Sequence, residues 1–89
     1  MKYNAEVIVT LKNGVRDPQG SAVDLVLNRT GMEENSSVAV GKYFTLTVNA
    51  DDEEMAKSKL NKICDDVLSN PILESYKIAR FERQWMQEL

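Results

Sequence analysis

Between Leu11 and Gly20 the chain changes its period, and few stretches leave a backbone so little choice. Upstream, Tyr3, Ala5, Val7, Val9 and Leu11 alternate with Asn4, Glu6, Ile8, Thr10 and Lys12, the repeat of a half-buried strand. Downstream, Ala22, Val23, Val26 and Leu27 recur at three- and four-residue steps, the stripe of an amphipathic helix. The junction holds Asn13-Gly14, a turn pair tolerant of positive φ, then Asp17 as helix N-cap and Pro18 as first helical residue. Gln19-Gly20 is odd in a first turn, where Ala would be better by roughly 1 kcal/mol. A glycine there predicts that something, such as another chain, passes close to the helix backbone.

Gly31 reads as the left-handed C-cap of this helix, and Met32 to Ser37 as a polar loop. Ser37 to Ala50 is strand-like and interrupted at Gly41-Lys42. A type II′ hairpin turn at that pair predicts a short strand through Val38 and Val40 and a longer one through Phe44, Leu46 and Val48. A single long bent strand is the alternative. Asp51 and Glu54 have capping-box spacing, so the acidic run Asp51-Asp52-Glu53-Glu54 reads as a helix start rather than a metal cluster. Ala56, Leu60, Ile63, Cys64, Val67 and Leu68 make the stripe of that helix, and Asn70-Pro71 stops it. Ile72 to Phe81 reads as a last strand.

The order β-α-β-β-α-β predicts an α+β, ferredoxin-like domain over residues 1–80: a four-stranded antiparallel sheet with two helices on one face. Residues 81–89 form a C-terminal extension, whose Trp85, Met86 and Leu89 suit docking on this or another subunit. The sheet face away from the helices would carry Ile8, Thr10, Ala39, Tyr43, Thr45, Thr47, Ala79 and Phe81, with few formal charges. Such a face suits burial against another layer. A chain of 89 residues buries only roughly 60% of its unfolded surface, which also favours a homo-oligomer, dimer or tetramer.

With a net charge of −3, neither nucleic acid nor an anionic membrane has electrostatic support as a partner. No apolar run approaches the ~20 residues of a membrane span, and the start at Met1-Lys2-Tyr3 does not read as a signal peptide. Cys64 is alone, which fits a cytoplasmic chain. The absence of histidine removes Ser-His and Cys-His nucleophiles and any ordinary zinc site. An acylphosphatase-like enzyme on this fold would use Arg16 and Asn49, although Asp17 repels an anion at the helix start. An ACT-like regulatory ligand-binding domain is the other alternative, because its sites are largely backbone.

Three motifs in order carry a resemblance. Leu11 to Gly20 with Ala22-Val23, Val38 to Tyr43, and Asn70 to Tyr76 resemble the motifs of the PurS family, the small subunit of phosphoribosylformylglycinamidine synthase. Arg16 stands where that family often has an apolar residue. The resemblance implies a non-catalytic subunit that bridges a glutaminase and an ATP-dependent synthetase large subunit and supports ammonia transfer in purine biosynthesis. It implies no catalytic residue and no metal ligand in this chain, while the complex would use ATP, Mg and glutamine. The contact candidates it supplies are Arg16, Asp17, Pro18, Gln19, Gly20, Gly41 and Lys42.

Overall fold

A computed structural model describes residues 1–32 and 37–84. The elements in chain order are β1 (Lys2–Leu11), α1 (Pro18–Arg29), β2 (Lys42–Asn49), α2 (Glu53–Ile63) and β3 (Glu74–Arg83), with a π-helical turn, Cys64–Leu68, continuing α2. β1 is the central strand of an antiparallel sheet ordered β2-β1-β3. Its odd-numbered face is the core face, as the alternation predicts: Tyr3, Ala5, Val7 and Val9 are buried. Opposite them α2 supplies Ala56 and Leu60 and the turn that continues it supplies Cys64, all fully buried, and Val48 and Ala50 close the core.

The expected four-stranded sheet is not formed among the described residues. Gly41 does not have the positive φ that a II′ turn requires at its first central residue, so the chain does not reverse there. Residues 37–41 run on outside the sheet instead, closer to the bent-strand alternative than to a hairpin. A Cβ on Gly41 would lie 2.6 Å from the Val9 carbonyl oxygen, so close approach to β1, rather than a turn, accounts for glycine here.

The two helices do not share one face either. α2 packs on the sheet, whereas α1 makes no extensive contact with it, and Gly20 is its only buried residue. Its predicted apolar stripe is open: Val23 is 42% and Val26 55% exposed. The rigid elbow before α1 directs the helix past the end of the sheet, and the molecule is correspondingly long, 52 × 33 × 16 Å.

Several local signals hold. Gly14 has φ 86° in a turn closed by the Val15 N–H on the Lys12 carbonyl, 3.1 Å. Gly31, at φ 78°, ends α1 in a Schellman arrangement, with the Met32 N–H on the Leu27 carbonyl at 2.8 Å. The cap of α2 falls one residue later than Asp51: Asp52 accepts from the Met55 N–H at 2.8 Å. At the other end, the Ser69 N–H reaches back five residues to the Cys64 carbonyl. That wider turn carries Val67 out of the buried stripe, leaving it 73% exposed.

β3 differs most from its expected reading. It starts at Glu74, since Ile72 lies in the turn after Pro71 and is 80% exposed. Between Val7↔Ile78 and Glu6↔Arg80 the register shifts, leaving Ala79 as the extra residue of a bulge. Beyond it the faces swap. Phe81 therefore joins the core side and stacks on Tyr3, centroids 5.5 Å apart and planes within 6°, while Lys57 lies over its ring. Arg80 turns outward instead, 3.7 Å from Glu6 and 3.1 Å from Glu82. With Lys77 opposite Ile8, the outer face is more charged than the alternation implies. The segment Trp85–Leu89, expected to dock, lies outside the described residues, as does residues 33–36 of the polar loop.

Replacing Leu60 by Ala should cost about 2–5 kcal/mol, because the side chain is fully enclosed. Ile72→Ala should change stability by less than about 0.5 kcal/mol. Denaturant midpoints at unchanged m-value test the pair.

Candidate functional site

The elbow is held by one carboxylate. Asp17 Oδ1 accepts from the Gly20 N–H at 2.9 Å, the cap its position predicts. Its Oδ2 accepts from the Val40 N–H, also at 2.9 Å, a bond across 23 positions that local pattern does not reveal. One turn further along α1, Asp24 accepts from the Val38 N–H at 3.0 Å. Two carboxylates thus tie the segment 37–41 to the side of the helix. What passes close to Gly20 is this same segment, not another chain: a Cβ there would lie 2.4 Å from the Val38 carbonyl oxygen.

These bonds bring five of the seven contact candidates to one place. Asp17, Pro18, Gln19, Gly41 and Lys42 line a cleft of about 170 Å³ with Val9, Leu11, Val40 and Glu74. Gly20 is beneath it, packed against Val38, and Arg16 is exposed on the approach to α1. Glu74, which the motif comparison passed over, anchors the far wall: Oε1 accepts from the Asn70 N–H at 2.7 Å and Oε2 lies 4.0 Å from Lys42 Nζ. Asn70 and Glu74 both fall in the third motif, so the first, second and third motifs meet here.

The cleft offers little chemistry. Its volume is below the roughly 300 Å³ at which small-molecule pockets begin. Hydrogen bonds from Val40 and then Gly20 hold the Asp17 carboxyl below the usual carboxylate range, against a smaller opposing effect of burial, so it stays ionised as a structural clasp. Cys64 is a core residue whose thiol burial pushes up, with Asp65 adding to the effect, which makes a poor nucleophile. Arg16 and Asn49, the acylphosphatase pair, lie at opposite ends of β2: Lys42, beside the elbow, pairs with Val9, while Asn49 pairs with Lys2. No cluster of metal-ligating side chains occurs among the described residues. No described helix is long and apolar enough to cross a membrane.

The family model for PurS, phosphoribosylformylglycinamidine (FGAM) synthase, matches residues 4–82. The chain belongs to the PurS family. PurS of Synechocystis sp. PCC 6803 is 40% identical over 74 residues, covering 83% of this chain and 74% of that relative. Among solved structures, Bacillus subtilis PurS superposes with a TM-score of 0.79 at 34% identity, covering 91% of this chain and 99% of that one. A chain of PurLQS from Thermotoga maritima gives 0.78 at 28% identity over 88% and 95%. The PurS match extends past Ala79, so the bulged strand β3 lies within the family's span almost to its end.

Two substitutions test the clasp. In the unfolded chain Asp17 titrates near the ordinary value of about 3.9, and in the folded chain lower. Its contribution to stability is therefore complete above the unfolded value and lost as pH falls through the folded one. NMR titration should find the Asp17 carboxyl below the usual carboxylate range, and Asp17→Asn, which keeps only one acceptor, should lower stability at neutral pH and flatten this acid limb. Gly20→Ala should lower the denaturation midpoint, although in an open helix the same change adds up to about 1 kcal/mol.

Proposed function

We propose that this chain acts as a non-catalytic bridge in FGAM synthase, holding the glutaminase and the ATP-dependent synthetase together and supporting ammonia transfer between them. The observation that carries this reading is the elbow cleft. It gathers all three family motifs, is rigid and backbone-rich, and contains no nucleophile-base pair. A site of that kind suits a protruding side chain or loop of a partner protein better than a substrate. The existence of a PurLQS structure from Thermotoga maritima supports the assembly. ATP, Mg and glutamine then belong to the other two subunits, and the chain works in the cytoplasm.

The same reading includes a homo-oligomer. The support comes from α1: a helix with Val23, Leu25 and Val26 each at least 42% exposed is not stable packing for an isolated chain.

The test compares product formation with glutamine and with ammonium salt, each with and without this chain, in the presence of the synthetase and glutaminase. A bridge supplies proximity and shelter rather than a reacting group. Omitting the chain should therefore abolish the glutamine-dependent reaction and spare most of the ammonia-dependent one. Arg16→Glu and Gln19→Ala, both at exposed positions, should lower the glutamine-dependent rate selectively. Equal glutamine-dependent rates with and without the chain would overturn the bridge.

A further inference from the structure

At the end of the sheet away from the elbow, the chain runs out beside an open cleft of about 430 Å³. Gln84, one residue past β3, continues the ladder, its N–H donating to the Lys2 carbonyl at 2.8 Å. The cleft lies on the helix side of the sheet. Met1 and the buried Tyr3 form one wall, Arg83 a second, and Asp51 to Glu53 at the entry to α2 a third. The Tyr3 hydroxyl donates to the Met1 sulfur at 3.7 Å, so the first wall presents an aromatic edge and a thioether together.

The parity of β3 points at this cleft. After the bulge the odd-numbered residues take the core side: Phe81 stacks on Tyr3, and Arg83, paired with Tyr3 in the ladder, lines the cleft. Side chains alternate along a strand, and the next odd-numbered residue is Trp85. The register Asn4↔Glu82, Tyr3↔Arg83, carried on by the Gln84 bond to Lys2, reaches Met1 at that residue. An indole gains from a thioether at its edge, and its N–H needs an acceptor when buried. Asp52 caps α2 and Glu53 lies 3.7 Å from Lys57, which makes the exposed Asp51 the carboxylate suited to that N–H.

We propose that Trp85 of the same chain occupies this cleft, its ring against Met1 and Tyr3 and its N–H towards Asp51. The occupant is the chain's own tryptophan because Gln84, the residue before it, is already held at the edge of the cleft. A side chain tethered one residue away outcompetes the same group on another molecule. Docking pins the C-terminal segment to the start of α2, the helix that covers the core. The cleft is at the opposite end of β1 from the elbow, roughly 30 Å away for a ten-residue strand at about 3.3 Å per residue. The contact therefore braces the fold and takes no part in the elbow cleft. It also lies past residue 82, where the match to the PurS family model ends.

Trp85 is the chain's single tryptophan, so intrinsic fluorescence of the full-length protein reports on it alone. In the native protein its emission should lie at shorter wavelength than in denaturant and resist acrylamide quenching several-fold better. A nitroxide label locates the ring. Cys64 is buried, so an introduced exposed cysteine takes the label selectively. A label on Asp51→Cys should quench most of the emission, and one on Thr10→Cys, near the far end of β1, should quench little. Trp85→Ala should lower the denaturation midpoint and leave the glutamine-dependent rate of the assembled enzyme at the wild-type value. Emission as red and as quenchable as in denaturant would overturn the docking, as would an unchanged midpoint. A blue-shifted emission untouched by the label at residue 51 would refute this cleft as its site. Wild-type chains refolded with labelled chains carrying both Asp51→Cys and Trp85→Leu supply the last control. Quenching in that mixture would place the tail on a second molecule and overturn the intramolecular contact.

Discussion

The two-sided grip of the Asp17 carboxylate is the contact on which the rest of the layout depends. One oxygen ends the elbow and starts a helix; the other takes the Val40 N–H of the segment that leads into β2. A backbone N–H bonded to an ionised acceptor makes a stronger contact than a neutral pair, and here it competes directly with a sheet ladder. Val40 cannot bond Asp17 and also line the edge of its own chain's sheet by the same group. The choice ties segment 37–41 to α1, and among the described helices it leaves α2 as the one that covers the core.

This explains how much of the fold was legible. Signals that act within a few residues were read correctly: the alternation of β1, the turn at Gly14, the caps at Asp17 and Gly31, the stop at Pro71. Element types and order follow from them. The fourth strand does not, because Val38 and Val40 have the same pattern whether they pair with β2 or lie against a helix. Nor does the burial of α1. Periodicity reports which face of a helix is apolar, and Val23 and Val26 give no hint that this face lies open rather than on the sheet.

The candidate site was legible in a different way. Motif resemblance chose Asp17, Pro18, Gln19, Gly41 and Lys42 without any geometry, and they line one cleft. Glu74 was within the third motif but had no feature to distinguish it from a solvated carboxylate until its bonds to the Asn70 N–H and its approach to Lys42 were seen. Gly20 was noticed for the right reason, crowding, and assigned to the wrong neighbour. A glycine reports that an atom is near; it does not report whose atom it is.

The bulge at Ala79 has a consequence beyond the placing of Phe81. It acts as a phase shifter, so the two halves of β3 obey opposite parity and are independent as patterns. Were the same residues to pair without the bulge, Ala79 would face Glu6 and Arg80 would face Ala5, sending Phe81 into water and Arg80 into the core although every residue kept its type. Deleting Ala79, by contrast, would let the strand run regularly while Arg80 still faces Glu6 and Phe81 still faces Ala5. The bulge thus absorbs one residue of length while the far half of β3 keeps its sides.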